Sequence, residues 1–300
     1  MHIRALRRAL IPVLAACAVT VLIPAAASPA AAAGPGECRS TGSGELALIS
    51  AGQRLESGSR LVDKVSAAEL VMQPDGNLVL YALGNPGGYK LPLWNSGTYG
   101  NPGAYATMQA DGNFVIYRKG GSAQTGGGIW HTATYGTSTV FTPRAYLLAG
   151  RFIVEGRGSS AATNRWSTAS LEQMNQLCSD YESTLGWWAG SWAQSASVWL
   201  VLQRDNNLVM YRKSDGKAIW NSGTYGGSTP VTLQMGWGDT GDLTIRQGDG
   251  NGAVRWRTGT SGHQDAWALL QDDGNFVVYK KTGGPDKGGA LWSTGTYNKI

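Results

Sequence analysis

The chain has 300 residues, of which 42% are hydrophobic, 15% are charged and 43 are glycine, with a formal charge of +5. Arg4, Arg7 and Arg8 fall in the first 33 residues, which contain no acid, so removing that segment would leave 5 − 3 = +2. The basic balance is therefore no argument for a nucleic-acid partner. No stretch after that segment is long and apolar enough to predict a membrane span.

Residues 1–33 join a basic start (MHIRALRR), an apolar run (ALIPVLAACAVTVLIP) and small residues (AAASPAAAAG), the layout of a cleaved export signal. A mature chain starting near Gly34 and a secreted protein are expected. Two other readings compete: Leu14 to Cys17 as a lipoprotein acylation site, and Arg7-Arg8 as a twin-arginine signal. The apolar run that follows Cys17 as far as Pro24 weighs against anchoring, because a polar tether usually follows an acylated cysteine. Residues 34–39 form an N-terminal arm. Cys38 and Cys178 are the cysteines left after processing. In an exported chain a disulfide between them is expected, and it would tie the arm to the middle of the chain.

Internal repetition sets the architecture. Trp94, Trp130 and Trp166 recur every 36 residues, as do Trp220, Trp256 and Trp292, and the two sets are offset by 126. Related tails follow: WNSGTYG, WHTATYG and WSTAS, then WNSGTYG, WRTGTSG and WSTGTYN. The approach to each set also matches, with Leu55 and Leu185 each 18 residues ahead of a glutamine. Two homologous domains are expected, at 40–168 and 178–300, joined by a linker at 169–177. The run SLEQMNQLC, Ser170 to Cys178, has an S-x-x-Q capping pattern and helix-spaced apolar residues, which predicts a short linker helix.

Within the units, short runs of Val, Leu, Ile, Phe and Tyr are separated by Gly-rich loops such as RKGGSAQTGGG, which predicts an all-β protein. Three short sheets per domain, each with one tryptophan at the same place, predict threefold pseudosymmetry with the indoles packed on its axis.

One motif occurs four times: QPDGNLVLY at 73–81, QADGNFVIY at 109–117, QRDNNLVMY at 203–211 and QDDGNFVVY at 271–279. Read as a strand, its residues alternate between two faces. Leu78, Leu80, Phe114, Ile116, Leu208, Met210, Phe276 and Val278 then face the core, with Met72, Met108, Leu202 and Leu270 in phase ahead of them. The other face presents Gln, Asp, Asn, Val and Tyr outward. A plain D-G hairpin turn is the competing reading. It is disfavoured because Asn206 replaces the glycine in one copy while the five odd positions stay the same. Two amides, a carboxylate and a phenol suit adjacent sugar hydroxyls, which both donate and accept, and the valine could meet the ring.

Four copies of Q-x-D-x-N-x-V-x-Y in threefold-repeated β units resemble the monocot, or bulb-type, mannose-binding lectins, over nearly the whole mature chain. The tandem layout is similar to that of lectin-like bacteriocins. The resemblance implies two β-prism II domains and a mannose site on each sheet that uses no metal and no cofactor. By position it implies contacts from Gln73, Asp75, Asn77, Val79 and Tyr81; Gln109, Asp111, Asn113, Val115 and Tyr117; Gln203, Asp205, Asn207, Val209 and Tyr211; and Gln271, Asp273, Asn275, Val277 and Tyr279. Two units depart from the pattern. LLAGRFIVE aligns Leu147, Ala149, Arg151, Ile153 and Glu155 with the motif, and GDTGDLTIR aligns Gly238, Thr240, Asp242, Thr244 and Arg246. Both are expected to fold as sheets without binding mannose.

The function expected is a lectin for mannose-containing glycans, with bacterial or fungal surface polysaccharide among the partners. A bacteriocin that kills related bacteria after binding their polysaccharide is the alternative. Enzyme activity is not expected. His131 and His263, the histidines outside the signal segment, lack metal-ligand spacing. The motif aspartates occur singly rather than as an opposed pair, and G-x-S-x-G is missing.

Overall fold

The computed structural model describes residues 47–84, 88–158, 165–168, 176–178, 186–236 and 240–300. The expected signal segment, the arm, Cys38 and residues 169–175 of the expected linker lie outside them.

Each half opens with three short strands followed by three consecutive antiparallel meanders. In the first half the opening strands are β1 (Ala47–Ser50), β2 (Arg54–Leu55) and β3 (Arg60–Asp63). The meanders are β4 (Ala68–Met72), β5 (Leu78–Leu83), β6 (Lys90–Asn95); β7 (Tyr105–Met108), β8 (Phe114–Ser122), β9 (Gly126–His131); and β10 (Arg144–Leu148), β11 (Arg151–Glu155), β12 (Arg165–Ser167). The opening strands are dealt out in reverse, giving four-stranded sheets β3-β4-β5-β6, β2-β7-β8-β9 and β1-β10-β11-β12. The third sheet is thus closed by the first strand, so the set completes only when its two ends meet.

The second half repeats the scheme. Its opening strands are β13 (Gln176–Cys178), β14 (Trp187–Trp188) and β15 (Trp192–Gln194). They join β16 (Val198–Leu202), β17 (Leu208–Arg212), β18 (Ala218–Asn221); β19 (Val231–Met235), β20 (Leu243–Gln247), β21 (Val254–Arg257); and β22 (Trp267–Leu270), β23 (Phe276–Gly284), β24 (Gly288–Ser293). The sheets are β15-β16-β17-β18, β14-β19-β20-β21 and β13-β22-β23-β24. The described residues are therefore all-β, as two prisms of three antiparallel sheets.

β13 corrects the last three residues of the helix expected over Ser170 to Cys178, the rest of which lies outside the described residues. Gln176, Leu177 and Cys178 pair with Leu269, Ala268 and Trp267, so the end of the expected linker is the first strand of the second prism. A three-residue strand shows no period of its own, and its partner lies some ninety residues away, beyond the reach of local pattern.

The tryptophans meet as the repeat predicts. The rings of Trp94, Trp130 and Trp166 are edge to face, with centroids 5.3–5.5 Å apart. Those of Trp220, Trp256 and Trp292 are 5.3–6.0 Å apart. Edge-to-face pairs bring the positive rim of one ring to the negative face of the next and add about 0.5–1.5 kcal/mol each beyond area burial. Around these triads, Leu78, Leu80, Phe114 and Ile116 in the first prism and Leu208, Met210, Phe276 and Val278 in the second are buried as the alternation requires.

The two prisms are joined through β15 and β16. Trp192, Trp199 and Val201 pack into the first prism's core cluster. The Trp192 indole donates to the Gly150 carbonyl at 3.0 Å, Gln194 donates to Ser66 O at 3.1 Å, and Arg204 donates to Thr168 O at 2.8 Å.

Candidate carbohydrate site

The motif is a turn that leads into a strand, which corrects its reading as a strand throughout. Strand begins only at Leu78, Phe114, Leu208 and Phe276. The Gln-to-Asn segment ahead of each is the hairpin loop. Gln109 N donates to Asn113 O at 2.9 Å and Gly112 N to Gln109 O at 3.1 Å, with the same pair of bonds in the other three copies. The glycine is also a requirement. Gly76, Gly112 and Gly274 have φ of 92°, 94° and 82°, and Asn206 takes 76° in the fourth copy. Asparagine is one of the few residues that tolerates this left-handed region, so the exchange that argued against a turn is one a turn permits.

The same polar wiring recurs in all four copies. Gln73, Gln109, Gln203 and Gln271 donate Nε2–H to the hydroxyls of Tyr81, Tyr117, Tyr211 and Tyr279 at 2.6–2.8 Å. Oδ1 of Asp75, Asp111, Asp205 and Asp273 accepts the backbone N–H of the following asparagine at 2.9–3.0 Å. The Asn side-chain carbonyl points inward. Asn113 Oδ1 accepts from Thr132 Oγ1 and Thr134 N, and Asn77, Asn207 and Asn275 do the same with Ser96 and Thr98, Ser222 and Thr224, and Thr294 and Thr296.

These bonds fix what is left for a ligand. Each site keeps one aspartate oxygen and the glutamine carbonyl as acceptors, and the asparagine NH₂ and the tyrosine O–H as donors. Burial raises the hydroxyl pKa of Tyr211 and Tyr279, the glutamine bond opposing and the nearby aspartate reinforcing, so both remain proton donors near neutrality. A recurring β-bulge sits at the tyrosine in every copy, between Leu80/Tyr81, Ile116/Tyr117, Met210/Tyr211 and Val278/Tyr279. Such a bulge re-aims the side chain that follows it.

The outer face is less open than the alternation suggests. Val79, Val115, Val209 and Val277 are buried, as are Tyr117 and Tyr279. Their cross-strand neighbours cover them: Val71, Thr107, Val201 and Leu269 lie opposite the valines, and Tyr105 and Trp267 pack on the tyrosine rings at 5.8 and 5.3 Å. Asn113 and Asn207 are 9% exposed, so the asparagines hold the loop as well as facing out of it.

The Ser/Thr pairs were missed in the sequence, although their signal was there: every full motif is followed by a tryptophan with Ser or Thr two residues on and Thr four residues on. The second hydroxyl donates to the carbonyl at the turn's left-handed residue, as Thr134 does to Gly112 O at 2.7 Å and Thr224 to Asn206 O at 2.6 Å. The tail thus clamps the loop of its own unit.

The two divergent units keep their sheets but shift in register. Leu147 pairs with Phe152 and lies in the core, where Met108 faces Phe114, so it does not occupy the glutamine place. The loop there is one residue shorter, and no bulge interrupts β11–β12. Glu155 stands at the tyrosine place and accepts from Tyr146 and Arg144, both at 2.8 Å. Burial opposes ionisation of Glu155, but those two bonds outweigh it and lower its pKa. In the other unit the loop is two residues longer. Gly236, not Gly238, takes the glutamine place, its N donating to Asp242 O at 2.8 Å; Gly238 lies outside the described residues.

No family model and no curated protein matches the chain. Solved structures similar to it include a monomeric monocot mannose-binding lectin from Gastrodia elata, 27% identical, covering 41% of this chain and 97% of that one, with a TM-score of 0.33. A two-domain fetuin-binding lectin from Scilla campanulata is 25% identical and covers 82% of this chain and 95% of that one, TM-score 0.30. The mannose-specific agglutinin of snowdrop (Galanthus nivalis), complexed with methyl-α-D-mannoside, is 28% identical and covers 41% and 96%, TM-score 0.30. At such TM-scores the likeness carries no argument of its own, and the fold rests on the strand pairing described above.

Proposed function

We propose that the chain is a secreted, non-enzymatic lectin that binds mannose or mannose-containing glycans through up to four sites, one on each sheet that carries the full motif. The observation that supports this most is the fourfold identity of the unspent hydrogen-bonding groups. Two donors and two acceptors lie beside one another at each loop, held by the same internal bonds. Vicinal sugar hydroxyls need such a mixed set. The choice of mannose rests on the motif's resemblance to bulb-type lectins.

Sites this shallow would hold one sugar at about millimolar Kd, near −4 kcal/mol. Several sites engaging one polysaccharide would supply avidity without new contacts. Binding of the mature protein to a glycan array tests the reading, with a variant carrying alanine at Asp75, Asp111, Asp205 and Asp273 as control. Retention of mannan by that variant at the wild-type level would overturn the assignment. A killing assay against neighbouring strains, with and without free mannose, separates recognition alone from a bacteriocin.

A further inference from the structure

The divergent sheet β14-β19-β20-β21 carries a pocket on its outer face. It is about 250 Å³ in volume and is lined by Gln234, Asp242, Thr244, Arg246 and Arg257, among others. Gln234, Thr244 and Arg257 form one cross-strand row over β19, β20 and β21. The matching rows in the four full-motif sheets are Val71–Val79–Asn95, Thr107–Val115–His131, Val201–Val209–Asn221 and Leu269–Val277–Ser293. The valine common to all four is therefore a threonine here. Thr244 is 2% exposed and its hydroxyl has no hydrogen-bond partner among the described residues, although the residue lines the pocket. A buried hydroxyl left unpaired is costly, and a ligand oxygen reaching it would offset that cost.

The charges point the same way. Asp242 takes the asparagine place, and its Oδ1 is already engaged by Thr258 Oγ1 at 2.9 Å and Thr260 N at 3.0 Å. Its Oδ2 accepts from Ser261 Oγ at 3.3 Å and lies 3.6 Å from Arg257 Nε. Arg246 replaces the tyrosine, follows the same bulge, and has one N–H on Gly252 O at 3.3 Å. Among the described lining residues, two guanidinium groups stand against one internally engaged carboxylate, one positive charge in excess. Guanidinium forks match a carboxylate in shape as well as charge.

We infer that this pocket binds a sugar bearing a carboxylate, a hexuronic acid residue, with its anionic group on Arg246 and Arg257 and a ring hydroxyl on Thr244. The inference does not rest on mannose binding by the four full motifs, and it stands or falls separately from it.

The test titrates the isotope-labelled mature protein, followed by NMR, with D-glucuronate, D-galacturonate and D-mannuronate singly, and with D-glucose and acetate. At least one uronate should give saturable shifts in Asp242 and Thr244, with glucose and acetate at least tenfold weaker. Thr244→Val restores the residue found at the four sister positions, so it should fold. It and Arg257→Gln should each weaken the uronate at least tenfold and leave mannose titration of the four motifs unchanged. Absence of binding by every uronate would overturn the proposal. So would equal binding of glucose or acetate, or uronate binding indifferent to both substitutions.

Discussion

Thr134 donates its backbone N–H to the side-chain carbonyl of Asn113 at 3.3 Å, joining the tail of a unit to the loop that opens its second strand. Thr132 Oγ1 donates to the same oxygen at 3.3 Å. Asn113→Ala therefore leaves the buried Thr134 N–H without this acceptor, while Thr132 Oγ1 keeps its bond with Thr134 Oγ1 at 2.7 Å, and should destabilise the fold by about 1–3 kcal/mol as well as weakening the proposed glycan binding. Asp111 is exposed, and its visible internal duty is the bond from Asn113 N. Asp111→Ala should weaken glycan binding at that site with a smaller loss of stability. Urea unfolding of the two variants checks this, and equal losses would contradict the division of labour.

The loop's left-handed residue is under a second constraint. A Cβ on Gly112 would stand 2.2 Å from Arg157 N, a backbone atom, at a φ of 94°. Gly112→Ala should cost at least about 1–3 kcal/mol. In the sister loop Asn206 directs its amide at the carbonyls of Gly226, Gly227 and Thr229, at 3.1–3.2 Å. Asn206→Gly keeps the backbone conformation and loses those bonds, so it should cost about 1 kcal/mol. Thermal melts that rank Asn206→Gly as the more damaging of the two would refute this account.

Much of this was legible in the sequence because the chain repeats itself. The 36-residue tryptophan spacing placed the two indole triads, and period-two alternation placed Phe114, Ile116 and their counterparts in the core. What stayed hidden was register. A five-residue hairpin loop and a strand both return side chains to one side, so Gln109 and Asp111 read as strand residues although they lie on a turn. Loop length moved Leu147 into the core and put Gly236 in the glutamine place, and alignment by residue type sees neither. The inward carbonyl of Asn113 was hidden too, because its partners lie some twenty residues downstream.

Trp192 and Gly150 couple the two prisms. The indole N–H reaches the buried Gly150 carbonyl at 3.0 Å, and a Cβ on Gly150 would stand 2.6 Å from the indole ring. Trp192→Phe keeps most of the apolar contact and leaves that carbonyl without this donor. It should destabilise the chain by about 1–3 kcal/mol. Gly150→Ala forces the ring away and should broaden denaturant unfolding into two steps as the prisms uncouple. A single sharp transition at the wild-type midpoint for both variants would show that the contact carries no coupling.

Lys213 makes the same junction sensitive to pH. Its ammonium is buried, donates to Gln194 Oε1 at 2.8 Å and lies 5.6 Å from the Trp199 ring centroid. Burial lowers its pKa to about 8, with Asp272 opposing. An unfolded lysine titrates near 10.4. Between these values the unfolded chain holds the proton and the folded chain releases it, so unfolding takes up protons and stability from this group rises with pH. Below about pH 8 both states are protonated and the penalty for burying the charge is fully present. Lys213→Met loses the bond to Gln194 at every pH but removes that penalty. The stability of Lys213→Met relative to wild type should therefore be highest near pH 7 and decline steadily to pH 10. Urea unfolding of both proteins at pH 7, 8, 9 and 10 measures that difference, and a pH-independent value would mean that Lys213 titrates as an ordinary exposed lysine.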